Sequence, residues 1–136
     1  MLVVDDDASD YTILCDMLSG IEGARFDLDW RPTYDAALEA IQGRQHDVYI
    51  FDYHLNDAKE RSGLDLVQEA RDAGCTAPAL LLTGRGSHDI DFEAMKMGAV
   101  DYLDKTELKP SLLERSIRYA IERKRVRPNS MLFIPR

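Results

Sequence analysis

The stretch LVVDDD, residues 2–7, places three apolar residues directly before three aspartates. Leu2, Val3 and Val4 have the character of a short buried strand, because aliphatic and β-branched residues favour that conformation. The three carboxylates that follow repel one another. A buried strand that ends in them therefore indicates a nearby cation that neutralises their charge.

The composition is that of one soluble globular domain. The chain has 136 residues, of which 45% are hydrophobic and 31% are charged, and that is enough for one hydrophobic core. No window approaches the ~18 uninterrupted apolar residues of a membrane span. Because charge begins at residue 5 and leaves no room for a signal peptide, we expect a cytoplasmic protein. Cys15 and Cys75 have no paired spacing, which argues against a disulfide framework and against structural zinc.

The net charge of −8 is unevenly distributed. Residues 110–136 contain seven Lys/Arg and two Asp/Glu and therefore carry +5, which leaves −13 on residues 1–109. An acidic body disfavours nucleic acid as a direct partner, and no membrane partner is expected. The basic segment 122–127 is either a contact surface or a solvated helix end whose cations complement the helix dipole.

Strand-like and helix-like periods alternate along the chain. The predicted strands are 2–4, 26–30, 47–52, 79–83 and 100–103, and the predicted helices are 8–19, 34–42, 64–74, 88–98 and 111–125. Strands too apolar to face water, joined by helices, predict an α/β fold with a doubly wound, five-stranded parallel sheet and helices on both faces. We expect one domain over 1–125. Residues 126–136 contain two prolines and no helical period, which predicts a C-terminal tail or connector.

Polar residues close the predicted strands. Asp5 and Asp6 end the first strand, Asp52 ends the third, Thr83 ends the fourth, and Lys105 follows the fifth. Ligands of such sheets bind beyond the carboxyl ends of the strands. The sequence therefore predicts one site with three carboxylates, a hydroxyl and an ammonium group. Each residue alone is also compatible with a turn, a cap or a surface position, so the prediction depends on their conjunction.

These groups suit a divalent cation and a phosphate. Clustered carboxylates raise one another's pKa unless a cation neutralises them. Mg²⁺ binds such oxygens and often bridges to phosphate, with Mn²⁺ as the alternative. Lys105 and Thr83 can bind phosphate oxygens. A carboxylate can itself be a nucleophile that forms an aspartyl phosphate, and Asp52 is the candidate because it ends the central apolar run.

The pattern resembles the receiver domain of two-component response regulators, of the chemotaxis-receiver type. The matching segments are VVDDD at 3–7, VYIFDYHL at 48–55, LLLTG at 80–84 and GAVDYLDK at 98–105, and the resemblance covers about residues 2–125. It implies a flavodoxin-like sheet of strand order 2-1-3-4-5 with five helices. It also implies that Asp52 accepts a phosphoryl group from a sensor histidine kinase or a histidine phosphotransfer protein. The domain would then be a regulatory phosphoacceptor that catalyses only its own phosphorylation and dephosphorylation.

The resemblance also assigns the metal ligands. Asp5 and Asp6 match the family's acidic pair, which binds Mg²⁺ together with Asp52 and the backbone carbonyl of His54. The third aspartate of the opening stretch, Asp7, is expected to cap the first helix rather than to bind the metal.

The phosphoryl group and the switch are assigned in the same way. Thr83 and Lys105 would bind phosphoryl oxygens, after which Thr83 shifts and Tyr102 swings inward. That movement remodels the face made by the fourth helix, the fifth strand and the fifth helix, which would bind a partner, a second copy or an output domain. The side chains of His54 and Arg85 would form a rim that tunes the access of water to the acyl phosphate.

The chain departs from the family at two loops. The loop after Asp52, YHLNDAKERSG, is a few residues longer than usual and has Asn56 where proline is usual. Thr106 follows Lys105 where many receivers have proline, often with a cis bond. Without proline a cis bond costs about 3 kcal/mol, so this loop is expected to differ. These changes affect the expected partner geometry and Mg²⁺ affinity.

Two other classes of function fit part of the pattern. One is a receiver-like interaction module that works without phosphorylation, although its usual sign is the loss of Asp52, Thr83 or Lys105. The other is a Mg²⁺-dependent hydrolase of the haloacid dehalogenase type, whose paired aspartates have the spacing of Asp5 and Asp7. The histidines at 46 and 88 show no partner pattern and are predicted to lie at the surface.

Overall fold

The computed structural model contains a parallel sheet with helices packed on both of its faces. It describes residues 1–23, 25–43, 46–84 and 101–133, with side chains up to residue 122. The predicted helix 88–98 lies outside the described residues. The elements in chain order are β1 (Leu2–Val4), α1 (Ala8–Ser19), β2 (Asp29–Arg31), α2 (Tyr34–Gln42), β3 (Tyr49–Asp52), α3 (Gly63–Asp72), β4 (Ala79–Thr83), β5 (Asp101–Asp104), a 3-10 turn (Lys105–Glu107) and α4 (Pro110–Phe133).

The sheet has the order β2-β1-β3-β4-β5, and all neighbouring strands are parallel. The predicted fold class and strand order are therefore confirmed. Every residue of β1, β3 and β4 is buried, because helices cover both faces. Alternate strand residues enter two separate cores: Phe51 and Leu81 belong to the core shared with α2 and α3, and Ile50 and Leu80 to the core shared with α1 and α4.

Polar caps begin the first three helices. Asp7 Oδ1 accepts hydrogen bonds from the backbone N–H groups of Ser9 (2.8 Å) and Asp10 (3.2 Å) at the start of α1. Thr33 caps α2, and Ser62 forms a reciprocal capping box at the start of α3. Such caps satisfy N–H groups that have no partner within the helix. The expectation that Asp7 is a helix cap is confirmed.

Several predicted strand and helix ends are shifted. The second strand was expected over 26–30 but pairs only over Asp29–Arg31, because its neighbour β1 offers three partners, Leu2–Val4. The third strand begins at Tyr49 rather than at 47, the fifth covers Asp101–Asp104, and α3 covers Gly63–Asp72.

The C-terminal helix is longer than predicted. The sequence predicts a helix over 111–125 and a non-helical tail, whereas α4 continues to Phe133 across the expected boundary at 125. The predicted helix end was wrong: Pro128 lies inside the helix, where a proline is disfavoured because it removes one backbone donor and crowds the preceding turn, but is not forbidden. The domain boundary at 125 stays a prediction. None of the helices in the described part of the chain has both the length and the apolar character that crossing a bilayer requires.

Candidate functional site

Three carboxylates meet where β1 and β3 end. Asp5 and Asp6 follow β1 directly, and Asp52 is the last residue of β3. Each of the three offers one carboxylate oxygen, and these oxygens all lie within 4.8 Å of one another. Asp5 is 3% exposed and Asp52 is 6% exposed, whereas Asp6 is partly exposed. The structure thus brings together the acidic cluster that the strand ends predict.

The ammonium group of Lys105 lies inside this cluster. It is 3.1 Å from a carboxylate oxygen of Asp5 and 3.1 Å from one of Asp52. It is 2.7 Å from a carboxylate oxygen of Asp10, which the sequence analysis did not include. Asp10 lies in the first turn of α1, where an acidic residue is ordinary because it complements the helix dipole. The sequence therefore carries no signal of its contact with Lys105.

The charges of these groups perturb one another. Burial raises the pKa of Asp52 to about 7, and the negative charge of Asp5 adds to that effect while Lys105 opposes it. Burial also raises the pKa of Asp5. Burial lowers the pKa of the Lys105 ammonium, but its contacts with the surrounding aspartates outweigh burial and raise that pKa. Three carboxylates thus share one ammonium group, and Lys105 stays protonated.

Thr83 is the last residue of β4, at the same edge of the sheet as the acidic cluster. Thr83 is 1% exposed, and its Oγ1 has no hydrogen-bond partner among the residues that the structure describes. A buried hydroxyl without a partner costs about 1–3 kcal/mol, so such groups are rare unless a ligand supplies the partner. Thr83 ends β4, which lies beside β3 in the sheet and pairs Asp52 with Leu82. An acceptor oxygen bound at this edge would satisfy it.

The donor set fits a hard divalent cation. Oxygen ligands from several carboxylates, one of them partly exposed, are what Mg²⁺ binds while it keeps some of its waters. Burial raises the pKa of the Asp5 and Asp52 carboxyl groups because it disfavours their ionised forms, and a cation bound between them would offset that effect. Asp5, Asp6 and Asp52 are therefore suited to hold Mg²⁺.

The indole of Trp30 supports the backbone at Asp5. Its Nε1–H donates a hydrogen bond of 2.8 Å to the Asp5 carbonyl oxygen, and its ring stacks on Tyr11 with centroids 4.7 Å apart. This contact ties the middle of β2 to the end of β1. It lies behind the acidic cluster and fixes the point from which the Asp5 side chain projects.

The loop after β3 reaches back to the cluster. Asn56 has a backbone φ of 48°, in the left-handed region, and its Nδ2 donates a hydrogen bond to Asp6 Oδ2. Gly63 ends the loop and starts α3, with its N–H donating to the Tyr53 carbonyl at 2.8 Å. A Cβ at Gly63 would lie 2.1 Å from the Asp52 carbonyl oxygen, so only glycine fits. The sequence marks Asn56 as a departure from the family pattern, but neither its contact with Asp6 nor the close approach at Gly63 was predicted.

The remaining predicted residues lie around the cluster. His54 is exposed, and its ring meets Tyr53 edge-on with centroids 4.9 Å apart. Tyr102 lies on β5, is partly buried and packs against the core shared with α2 and α3. Arg85 lies outside the described residues. His54 follows β3 and Tyr102 lies on β5, two strands that β4 separates, and no described contact assigns either side chain a role.

Thr106 shapes the loop after β5, and no cis peptide bond occurs among the described residues. Thr106 donates hydrogen bonds from its backbone N–H (2.9 Å) and its hydroxyl (2.7 Å) to Asp104 Oδ1. A proline at position 106 could not make the first of these bonds, because it has no N–H. The capped 3-10 turn that results begins at Lys105.

One predicted surface residue is largely buried. The side chain of His46 is 10% exposed, and its Nε2 is 2.9 Å from Asp29 Oδ2. The prediction was wrong because Asp29 is 17 residues away along the chain, so local spacing could not show the contact. His88 lies outside the described residues.

Comparison with known proteins shows which sequences and folds this chain resembles. A family model described as the response regulator receiver domain matches residues 1–117. The transcriptional regulatory protein ZraR of Klebsiella oxytoca is 35% identical over 105 residues, which are 77% of this chain. They are only 22% of ZraR, so the chain spans about a fifth of that curated relative.

Solved structures share the fold. The receiver domain of NtrX from Brucella abortus superposes with a TM-score of 0.77 at 27% identity, covering 89% of this chain and 97% of that one. A CheY-like receiver domain protein from Methanospirillum hungatei JF-1 also has a TM-score of 0.77, at 22% identity, covering 91% of this chain and 94% of that one.

Proposed function

Since the chain belongs to the response regulator receiver family of two-component systems, we propose that it is a switch in which Asp52 accepts a phosphoryl group. The observation that supports this most is that Lys105 contacts both Asp5 and Asp52 at the edge of the sheet where β4 ends in Thr83, whose buried hydroxyl has no described partner. A nucleophilic carboxylate, a fixed positive charge and a free hydrogen-bond donor are the groups that phosphoryl transfer to an aspartate requires. The phosphoryl donor would be a sensor histidine kinase or a histidine phosphotransfer protein.

In the transfer step, an oxygen of Asp52 attacks phosphorus opposite the imidazole nitrogen of the phosphohistidine. The O–P bond forms as the N–P bond breaks, and the leaving imidazole takes up a proton. Lys105, already 3.1 Å from Asp52, stabilises the negative charge on the transferring oxygens. Asp5, Asp6, Asp52 and the backbone carbonyl of His54 would hold Mg²⁺, which supplies positive charge to the phosphoryl oxygens.

The response to phosphorylation would start at Thr83. Its hydroxyl gains a phosphoryl oxygen as its acceptor, and Tyr102 on β5 moves inward as Thr83 shifts. These movements change the face formed by β5, α4 and the predicted helix 88–98, the last of which is outside the described residues. That face would then bind a partner, a second copy or an output domain.

The lifetime of the phosphorylated state would depend on the rim residues His54 and Arg85. His54 is exposed and follows the phosphoacceptor by two positions, so its side chain can control the access of water to the acyl phosphate. Substitution of either residue should change the dephosphorylation rate more than the Mg²⁺ affinity. Equal lifetimes in the variant and in the parent would contradict this role.

The two alternative functions have less support. An interaction module that works without phosphorylation does not require the contacts of Lys105 with three carboxylates, or a buried Thr83 hydroxyl that lacks a partner among the described residues. A hydrolase of the haloacid dehalogenase type would use Asp5 and Asp7 as its pair, but Asp7 Oδ1 already accepts two N–H groups at the start of α1. Turnover of a phosphate ester by the protein would favour the hydrolase instead.

The test is labelling by acetyl phosphate with and without Mg²⁺, read as a mass increase of one phosphoryl group and mapped by peptide sequencing. The wild-type domain should be labelled at Asp52 only when Mg²⁺ is present, and Asp52→Asn should not be labelled. Asp47→Asn is the matched control, because Asp47 is an aspartate of the same β3 region whose side chain is 75% exposed. Mg²⁺-independent labelling, or equal labelling of Asp52→Asn, would contradict the proposal.

A further inference from the structure

Asn56 is the residue at which the loop after β3 touches the acidic cluster. Its Nδ2 donates a hydrogen bond to Asp6 Oδ2. Its backbone φ of 48° is a conformation that proline cannot adopt, because the proline ring holds φ near −65°. Asparagine tolerates this region better than most residues. The residue that replaces the proline usual in the family therefore brings a new donor to the site.

Ion pairs of Arg61 with Asp57 and Asp35 hold the loop after β3 in place. Arg61 contacts Asp57 through Nε and through a terminal nitrogen, both at 2.8 Å, and reaches Asp35 at 3.0 Å. Its guanidinium carbon lies 4.0 Å from the ring centroid of Tyr34 on α2. The backbone N–H groups of Lys59 and Arg61 also donate to Asp57. The extra length of this loop is thus folded onto α2 rather than left free.

The three carboxylates of the cluster have different partners. Lys105 forms its described ion pairs with Asp5, Asp52 and Asp10. Asp6 receives the amide of Asn56 instead. A carboxylate has two oxygens and about four acceptor positions, so an amide bond to one oxygen leaves the second oxygen for a cation.

We propose that Asn56 is a positioning residue that orients Asp6 for cation binding and so sets the Mg²⁺ affinity of this chain. The inference rests on the proposed function, because it concerns the Mg²⁺ site of the phosphoacceptor. Groups that orient a metal-ligating carboxylate typically change metal affinity 10–100-fold when they are removed. Among the three carboxylates, Asp6 depends most on such an orienting contact. Its side chain is partly exposed, and it lacks the described contact with Lys105 that holds Asp5 and Asp52.

The first experiment is calorimetric titration of the protein with Mg²⁺. Asn56→Gly removes the amide and keeps a residue that adopts positive φ without strain, so any loss of affinity reflects the amide or the looser chain. Lys59→Gly is the matched control for the looser chain, because it lies on the same loop and its side chain is exposed. We expect Mg²⁺ affinity to fall by about tenfold or more in Asn56→Gly and to stay at the wild-type value in Lys59→Gly.

The second experiment needs no substitution of Asn56. The side-chain amide of Asn56 gives its own ¹H–¹⁵N NMR signals, which should shift as Mg²⁺ is added and should move when Asp6→Ala removes the acceptor. If Asn56 makes no contact with Asp6 in solution, these signals should stay unchanged in both cases.

The outcomes separate this inference from the proposed function. Mg²⁺ binding by wild type with equal affinity in Asn56→Gly, or with equal losses in both glycine variants, would overturn the role of Asn56 and leave the phosphoacceptor proposal in place. Amide signals of Asn56 that respond neither to Mg²⁺ nor to Asp6→Ala would do the same. A wild-type protein that binds no Mg²⁺ would overturn both.

Discussion

The hydroxyl of Thr83 is held at the end of β4 with 1% of the residue exposed and no described partner for Oγ1. In the unphosphorylated protein this arrangement lowers the free energy of unfolding, since an unsatisfied buried hydroxyl has lost its hydrogen bonds to water. In a phosphorylated protein the same hydroxyl would have an acceptor. A group that destabilises the unphosphorylated state and stabilises the phosphorylated state shifts the equilibrium between the two, as a two-state switch requires.

Thr83→Val tests this directly, because valine keeps the branched shape and removes the hydroxyl. We expect the unphosphorylated domain to gain about 1 kcal/mol of unfolding free energy, measured by urea denaturation. The same variant should bind the phosphoryl analogue beryllofluoride more weakly than wild type. A variant that is less stable and binds beryllofluoride normally would contradict the assignment of Thr83 to the phosphoryl group.

Sequence position is enough to predict residues that end strands, because the sheet brings those ends together. Asp52 and Lys105 were predicted on that basis, and their side chains meet. The contacts of Asp10 and Asn56 were missed because they depend on the rotation of a helix and on the path of a loop. Hydrophobic period predicts neither the rotation of the helix nor the path of the loop. In the sequence, Asp10 is an ordinary residue of a first helical turn and Asn56 an ordinary loop residue.

At the level of elements, the junction between β3 and α3 fixes where Asp52 stands. The start of α3 approaches the end of β3 so closely that a Cβ at Gly63 would lie 2.1 Å from the Asp52 carbonyl oxygen and 3.2 Å from Leu81 Cδ1. The carbonyl carbon of Asp52 would lie at 2.9 Å, so the two closest atoms both belong to the Asp52 backbone, which cannot move without shifting the Asp52 side chain. The packing of the start of α3 against the end of β3 therefore fixes the position of the Asp52 backbone.

Gly63→Ala should cost about 2 kcal/mol of unfolding free energy or more, since added volume in a packed site forces the backbone to shift. It should also slow labelling at Asp52 by acetyl phosphate. Gly20→Ala is the control, because a Cβ there would meet only ordinary contacts of 3.7 and 3.8 Å. Equal stability of Gly63→Ala and Gly20→Ala, by thermal denaturation, would contradict the close approach.

The C-terminal helix gives a second prediction at this level. The buried residues that the structure describes in α4 are Leu113, Ser116, Ile117 and Ala120, and all of them precede the predicted domain boundary at 125. A chain that ends at residue 125 should therefore keep the thermal midpoint of the full chain to within a few degrees. A large fall in the midpoint would place part of the core beyond that boundary.

Hydrophobic period predicted the type of each described strand and helix, because burial on both faces of the sheet leaves a strong apolar signal. Their ends were less predictable. The end of β2 depends on how long β1 is, and the end of α4 depends on whether a proline interrupts a helix or lies within it. Both are decided by neighbouring structure rather than by the residue at the boundary.

At the level of the whole molecule, the acidic cluster should make stability depend on pH. The pKa of Asp52 rises from 3.8 to about 7 on folding, mainly through burial. The folded protein therefore holds a proton that the unfolded chain releases, and stability falls as pH rises from about 4 to about 7, with a slope of up to about 1.4 kcal/mol per pH unit from this group. The raised pKa of Asp5 acts in the same direction.

Asp52→Asn should remove most of this dependence and stabilise the metal-free protein at pH 8, because the amide is neutral at every pH. Urea unfolding of both proteins at pH 5 and pH 8, with chelator present, measures the difference. Saturating Mg²⁺ should also flatten the wild-type curve, since the cation favours the ionised carboxylates. Parallel pH profiles for the two metal-free proteins would contradict the raised pKa.

The hydrogen bond between Trp30 and the Asp5 carbonyl has a practical consequence. Trp30 is the one tryptophan of the chain, and its indole N–H donates directly to the backbone of a cluster residue at 2.8 Å. Its fluorescence therefore comes from a single, known position whose environment changes when the neighbouring carboxylates are neutralised. Cation binding at the acidic cluster should therefore change the fluorescence of Trp30. Occupancy of the site can then be followed in real time without an added label.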